Sequence, residues 1–460
     1  MKPVITILFL LLVNTVFAQL WPKDGVALHY RLIGFTVPAG EKGTTYQFDI
    51  YTEGNNKPVV SERSSNNRIT AIVPKFGTSY SWQVKYLNNG KLVKTIKHKF
   101  ATLPNPYIDS PRSRLAIIDS ATQYKDLLIF FDNTRTLYNM QGEALWFLPV
   151  IKNITDSSAV MIRDIKISPQ GTITFLTNKN VYEIDYNANI LWRGPIDSPV
   201  NGHRITQYHH QLTRRPNGNY MTIGNLEIRN ADTTKGTQSC GTLIEYTPNN
   251  KLAWTWSVCD HLGDGDATTH FNSFYLDEER KAFYTSHRNI SRIIKAEYPS
   301  GKTLAHYGSD YKRDGSTRGR DLFYSQHNCG INSDGDLILF NNNFNMDYGW
   351  KERNDTSIPT VLVLKEPSIS TDTITKLWEF KTDIDTFTRP LSTGGGSITE
   401  LNSGDYLVCT GLPGRNFIVS ADKKILWNVI TLHYDKIWKP LQGYRISPLY
   451  PNDVHKLLFK

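Results

Sequence analysis

Long hydrophobic runs are scarce in this sequence. The one at its start, within MKPVITILFLLLVNTVFA, extends from Val4 to Val13, about half of the roughly 20 residues that a spanning helix needs. Lys2, that apolar stretch and the small-residue site Val16-Phe17-Ala18 have the form of a secretory signal peptide over residues 1–18. The mature chain is therefore expected to begin near Gln19, in a periplasmic, secreted or cell-surface compartment. No later segment is apolar and long enough to span a bilayer. Amphipathic periodicity of 3.6 residues is also lacking, which excludes a helix-dominated fold. Blocks of Lys or Arg are missing too. The formal charge of +9, or +8 without Lys2, mildly favours anionic ligands but forms no nucleic-acid or membrane patch.

Cysteine is sparse, with only Cys240, Cys259, Cys329 and Cys409. Between the first two lie GTLIEY and KLAWTWSV, joined by Thr247-Pro248-Asn249-Asn250. If Asn249-Asn250 is a two-residue hairpin loop, paired positions sum to 499, as do 240 and 259. The two thiols then face each other at a hydrogen-bonded pair, a tight geometry for a bridge. A disulfide and two buried free thiols both remain open.

Strand-like alternation is abundant. Residues 19–103 contain about seven short period-two runs, among them TTYQFDIY, RITAIVP and YSWQVKYL, separated by polar turns, which predicts a β-sandwich. The run VPKFGTSYSWQVKYLNNGKLV resembles a fibronectin III/Ig-like domain, with Tyr80 placed as the corner tyrosine and Trp82 as core. Thr102 to Arg112 reads as a linker. From residue 104 to 460 one unit recurs: a Gly or Asn turn, two strands, then a Leu/Ala-Trp ending at Trp146, Trp192, Trp254, Trp378 and Trp427, with TLAHYG as a degenerate copy. Six copies predict an all-β, six-bladed β-propeller, since one blade alone cannot cover its two apolar faces.

Three segments carry clustered polar residues. QYHHQLTRRPNGNY contains His209 and His210; THFNSFYLDEERKAFYTSHRNISRI contains His270, Asn272 and Arg288; SQHNCGINSDGDLILF contains His327. His210 precedes Gly218 by eight residues and His327 precedes Gly335 by eight, so the two occupy equivalent places in two blades. Imidazoles from three blades could bind zinc, but no carboxylate or Cys stands at a convincing ligand position and Arg288 would repel a cation, so no metal is expected. Arg with His suits an oxyanion.

The order HHQ…PNGN, then HFNS with Arg288 eighteen residues after its His, then QH…DGDLILF, resembles the propeller-type bacterial arylsulfate sulfotransferases over most of the chain from about residue 115. That resemblance implies transfer of a sulfuryl group from a phenolic sulfate donor to a phenolic acceptor by double displacement, without a nucleotide sulfate carrier or other cofactor. It implies His327 as the residue that becomes sulfohistidine, His270, Asn272 and Arg288 as holders of the sulfate oxygens, and His210 or His209 as the remaining active-site histidine. Imidazoles at His270 or His210 suit proton transfer to and from the aryl oxygen. The chain departs from the family pattern at Gln211, at Thr268-Thr269 and at Asn341-Asn342-Asn343. Two other readings stand beside this one: a non-catalytic extracellular ligand-binding propeller, and a quinone-dependent dehydrogenase, whose metal ligands are not found here. A homodimer is left open, and neither nucleic acid nor a transmembrane segment is expected.

Overall fold

The computed structural model describes residues 20–107, 113–119, 122–155, 160–229, 236–309, 317–318, 322–344, 358–367, 373–384 and 394–459. The expected signal peptide and residues 108–112 of the expected linker lie outside them. The chain separates into two compact units, one ending at Pro104 and one starting at Asn105. Among the described residues no helix is long and apolar enough to cross a membrane.

The first unit pairs five strands in one sheet and two, Leu32–Thr36 and Arg68–Ile72, in another. Along Ser79–Asn88 the side chains of Tyr80, Trp82, Val84 and Tyr86 are buried while their neighbours are not, the period-two pattern of a strand with one covered face. Phe35 of the smaller sheet meets Trp82 and Phe100 of the larger with ring centroids 5.3 and 5.9 Å apart. The Tyr80 hydroxyl accepts the Lys75 N–H and donates to the Lys75 carbonyl, each at 2.9 Å.

The second unit is built, among its described residues, from six sheets that follow one another along the chain. In sheets two to six the first strands are Arg163–Ile167, Arg204–Arg214, Phe271–Asp277, His327–Ile331 and Ser397–Glu400. The first sheet, which holds Leu128–Phe131, is instead completed by Ile446–Leu449, far along the chain. Successive sheets share apolar cores: one cluster joins Leu176 and Trp192 to Tyr208 and Ile244, another joins Met221 to Phe271 and Phe283, a third joins Tyr284 to Leu339, and a fourth joins Phe340 to Val408.

The recurrent tryptophans act at these junctions. Trp146 Nε1 donates to the Tyr186 carbonyl at 2.9 Å, Trp254 to Pro299 at 2.6 Å, Trp378 to Ala421 at 2.8 Å and Trp427 to Met140 at 3.0 Å. Each indole leaves its own sheet and bonds the next, and Trp427 ties the sixth sheet back to the first. Trp192 reaches the next sheet by stacking on Tyr220 at 3.6 Å. In the degenerate copy Tyr307 donates to Glu366 at 2.6 Å. A neutral bond of this kind is worth about 1 kcal/mol net, so the buried ring area outweighs it and the bond sets direction.

Cys240 and Cys259 form a disulfide with Cα atoms 5.8 Å apart. The expected pairing is right, but the loop differs. The hydrogen bond from Thr247 N to Lys251 O leaves three residues, Pro248 to Asn250, in the turn, with Asn250 at φ 59°. A register shift between Glu245 and Tyr246 restores the sum, giving Thr242 opposite Ser257. Cys259 itself lies in a short helix, Val258–Leu262, beyond the last paired strand residue, so the hydrogen-bonded strand pair expected at the bridge does not form.

Candidate active site

The turns between first and second strands position the site. Gly171, Gly218, Gly335 and Gly404 each donate N–H to a carbonyl three residues earlier and sit at φ between 70° and 91°, a conformation that costs a residue with a Cβ but not glycine. Eight residues before these glycines stand Arg163, His210, His327 and Gly396. The same offset therefore selects a position in, or immediately before, the first strand of four sheets. Register shifts interrupt the pairing there, between Arg163 and Lys166, His209 and Leu212, and His327 and Cys329. Asp164, His210 and Asn328 take up the bulges at φ 52°, 64° and 52°. Such non-glycine outliers concentrate at functional sites.

His210 and His327 lie in the first strands of two sheets and His270 immediately before the first strand of a third, and each presents a ring nitrogen within 4.8 Å of the other two. His210 and His270 meet edge to face at 5.1 Å, and His210 and His327 are 6.5 Å apart. His209 lies behind His210, with Nδ1 to Nδ1 at 2.6 Å. Arg288, only 8% exposed, donates its backbone N–H to the His270 carbonyl at 3.0 Å, which fixes where its side chain begins. Asn272 donates Nδ2 to the Gln326 carbonyl at 2.7 Å, beside His327, and its buried Oδ1 has no hydrogen-bond partner among the described residues.

His327 is held at both nitrogens. Nδ1 lies 2.6 Å from Asn342 Oδ1, while Nε2 accepts the Gly395 N–H at 3.4 Å. Asn342 Nδ2 donates to the Gly395 carbonyl at 3.1 Å, so its oxygen is the atom turned to the ring. These contacts assign the proton to Nδ1 and leave the lone pair on Nε2.

Sequence reading missed several neighbours. Arg163 stacks on the Tyr444 ring at 3.8 Å and donates to its hydroxyl at 2.8 Å. Arg445, at the head of Ile446–Leu449, donates to Asp164 Oδ1 at 3.2 Å and to Gln211 Oε1 at 2.9 Å. The eight-residue offset could have found Arg163; Arg445 belongs to a strand that has no such turn. The departures from the family pattern have structural work. Gln211 both donates to and accepts from the Phe274 backbone, and Asn341 bonds Thr360 and the Tyr324 N–H. Phe271 and Phe323 are packed in apolar clusters. A cavity of about 240 Å³ lies at this end of the sheets, lined by Met161, Arg163, Tyr208, His209, His210 and His270.

Three imidazoles at this spacing have the geometry to hold a cation, but the field around them has the wrong sign. Arg288 bears on His270 and His327, Arg163 on His210 and His270, and Arg445 on His327. Burial, followed by these charges, lowers the pKa of His210 and of His327 well below the usual imidazole value, and His270 is pushed down to about 4 despite the opposing charge of Asp266. The histidines are therefore neutral near pH 7. Burial also lowers the pKa of Arg288, and the positive charges of Arg288, Arg163 and Arg445 around the histidines suit an anion better than a cation.

One consequence concerns stability. His287, beside Phe271, is pushed down to about 3 by burial and the nearby Arg292. In the unfolded chain both His270 and His287 titrate near 6.5, so from there down to about 4 the unfolded state binds more protons and stability falls as pH falls. The unfolding temperature is expected to drop between pH 6.5 and 4.5, and to drop less steeply in His287→Gln; calorimetry at closely spaced pH values checks both.

An all-β protein that gathers neutral imidazoles and a buried guanidinium from separate sheets is of the class that binds or transfers a small oxyanion. Residues 112–435 match the family described as Arylsulfotransferase (ASST), and the chain belongs to that family of aryl sulfotransferases, which act on small molecules. No curated protein matches it. Among solved structures it is similar to a protein of unknown function from Bacteroides caccae, at 12% identity over 70% of this chain and 97% of that one, TM-score 0.45. It is also similar to virginiamycin B lyase from Staphylococcus aureus, at 14% identity over 68% and 88% of the two chains, TM-score 0.35. A third is an auxiliary nutrient binding protein from Bacteroides ovatus, at 9% identity over 86% and 82%, TM-score 0.38. Likenesses this distant say nothing of function.

Proposed function

We propose that the protein moves a sulfuryl group from a phenolic sulfate ester to a phenolic acceptor in two displacements, through a covalent sulfohistidine on His327 Nε2. The observation that carries this is the Asn342 tether of His327, which holds the proton on Nδ1 and leaves on Nε2, near Arg288 and His270, a lone pair that gives up its long 3.4 Å contact with the Gly395 N–H when it attacks. Sulfuryl transfer asks for an in-line nucleophile and charged donors on the equatorial oxygens, much as phosphoryl transfer does. A neutral imidazole is a competent nucleophile, and a covalent intermediate divides one step into two. In the first, Nε2 attacks sulfur, the N–S bond forms, the S–O bond to the aryl group breaks and the aryl oxygen keeps its electron pair. Arg288 forks onto the sulfuryl oxygens and His270 adds a neutral donor. Asn272, with Nδ2 committed to the Gln326 carbonyl, supports the strand that carries His327.

The fold belongs to the same reading: a six-bladed propeller over residues 104–460, with the first blade completed by Ile446–Leu449, after a fibronectin III-like sandwich over residues 19–103, supported by the Tyr80 corner contact and the Phe35 to Trp82 packing. A cleaved signal peptide over residues 1–18 and a periplasmic or cell-surface location complete it, consistent with the disulfide.

Rapid mixing with 4-nitrophenyl sulfate tests the activity. The expected record is a burst of 4-nitrophenolate equal to the active sites, then slow release that phenol accelerates, with parallel lines in double-reciprocal plots. Binding of 4-nitrophenyl sulfate with neither burst nor phenol-dependent release would indicate the non-catalytic alternative.

A further inference from the structure

Behind His210 a chain of hydrogen bonds leads to one carboxylate. His210 Nδ1 meets His209 Nδ1 at 2.6 Å, His209 Nε2 meets Asn225 Oδ1 at 2.9 Å, and Asn225 Nδ2 donates to Asp266 Oδ2 at 3.2 Å. The other carboxylate oxygen, Asp266 Oδ1, accepts the Phe271 N–H at 2.9 Å. His209 and Asn225 are buried, at 7% and 4% exposure, so water does not compete for these bonds.

The polarity of the chain can be read from its end. A carboxylate accepts only, so the Asn225 amide must turn Nδ2 to Asp266 and Oδ1 to His209. Asn225 Oδ1 also accepts only, so the His209 proton sits on Nε2 and its Nδ1 carries a lone pair. That lone pair needs a donor, which places the His210 proton on Nδ1. The remaining lone pair of His210 is then on Nε2.

We infer that Asp266, Asn225 and His209 are positioning residues that lock His210 in the Nδ1–H form, and that His210 Nε2 is the base that takes the proton of the acceptor phenol. The inference rests on the sulfohistidine reading and assigns, within it, which histidine handles the proton. In the discharging half-reaction the phenol oxygen attacks sulfur and the O–S bond forms. The S–N bond breaks, its electron pair returns to His327 Nε2, and the phenol proton passes to His210 Nε2. The imidazolium so formed loses its anionic neighbour when the aryl sulfate departs, gives its proton to solvent and returns to the neutral form for the next cycle. The groups facing His210 are His209, His270, His327 and Arg163, all neutral or cationic near pH 7, so the sulfuryl oxygens on His327 supply the negative charge that the phenol proton needs nearby.

The two half-reactions separate this role from a structural one. With 4-nitrophenyl sulfate the leaving group needs no proton, whereas phenol must lose one. Asn225→Leu removes the acceptor for His209 Nε2 and frees the pair to adopt the opposite tautomers. It is expected to lower phenol-dependent turnover by about 100-fold, the usual size of a general-base contribution, while the 4-nitrophenolate burst slows far less. His209→Gln can donate to Asn225 and accept from His210 Nδ1, and is expected to keep phenol-dependent turnover within a few-fold of the parent. Equal loss in both half-reactions, or no loss in either, would overturn the assignment for Asn225→Leu; a His209→Gln enzyme as impaired in phenol turnover as Asn225→Leu would overturn it independently. Absence of any burst in the unaltered protein would instead remove the sulfohistidine reading beneath it.

Discussion

His327→Ala is expected to give no burst of 4-nitrophenolate at all and to lower steady-state transfer to phenol by at least about a thousandfold, the scale on which loss of a catalytic nucleophile is felt. The ring is 4% exposed and bonded through Nδ1 to Asn342. Its removal also takes away the bond between the ring and Asn342 Oδ1, worth about 1 kcal/mol net. A folded domain survives that loss, so circular dichroism should show the native spectrum with a lowered unfolding temperature. The same tether makes a second expectation for the unaltered protein. Because the pKa of His327 is lowered well below the usual imidazole value, the burst rate should stay nearly level from pH 8 down to pH 6, where a free imidazole would already be largely protonated and inert. A burst that falls in proportion to free imidazole over that range, or a His327→Ala enzyme with a full burst, would contradict the assignment.

Arg288→Lys should lower both half-reactions by about 100- to 1,000-fold, because both pass through the same sulfuryl group and each loses the same fork of donors. That magnitude is the usual cost of one aimed donor in a site shielded from water, and Lys cannot replace a planar, two-pronged guanidinium. Parallel loss distinguishes Arg288 from Asn225, whose replacement is expected to divide the half-reactions. Ligand binding gives a readout independent of turnover. Inorganic sulfate should raise the unfolding temperature of the parent, since an anion that binds only the folded state stabilises it, and should do so much less in Arg288→Ala. An equal rise in the two proteins would remove Arg288 from the anion site.

Much of the architecture could be read from the chain because its signals are local. Glycine turns, period-two strands and a terminal Leu/Ala-Trp mark each sheet, and the tryptophans proved to be the bonds between one sheet and the next. The bridge between Cys240 and Cys259 was reached through a loop of the wrong length. A register shift at Tyr246 compensated for the third turn residue, something that a count of positions cannot reveal. In the site, His210 and His327 were legible because each stands at a fixed distance from a glycine. Arg445 was not, since its strand joins a sheet laid down at the other end of the unit. Asn342 and Asn225 were missed for another reason. One directly follows a strand and the other lies within one, ordinary asparagines in sequence, and only the amide orientation imposed by Gly395 or Asp266 gives each a role.

The strand Ile446–Leu449 has a consequence for the timing of folding. Four sheets can form as the chain emerges, each from its own neighbouring residues, whereas Ser113–Asp119 must wait for Ile425–Asp435 of the sixth sheet, and the first must wait with the Leu128–Phe131 edge open until residues 446 to 449 arrive. Such an unpaired edge invites association with other chains. The same arrival brings Tyr444 and Arg445 to their places beside Arg163, Asp164 and Gln211. Completion of the first sheet and of the charge around the histidines are therefore a single late event, and a chain stopped short of Tyr444 would carry every histidine of the site but not the finished site.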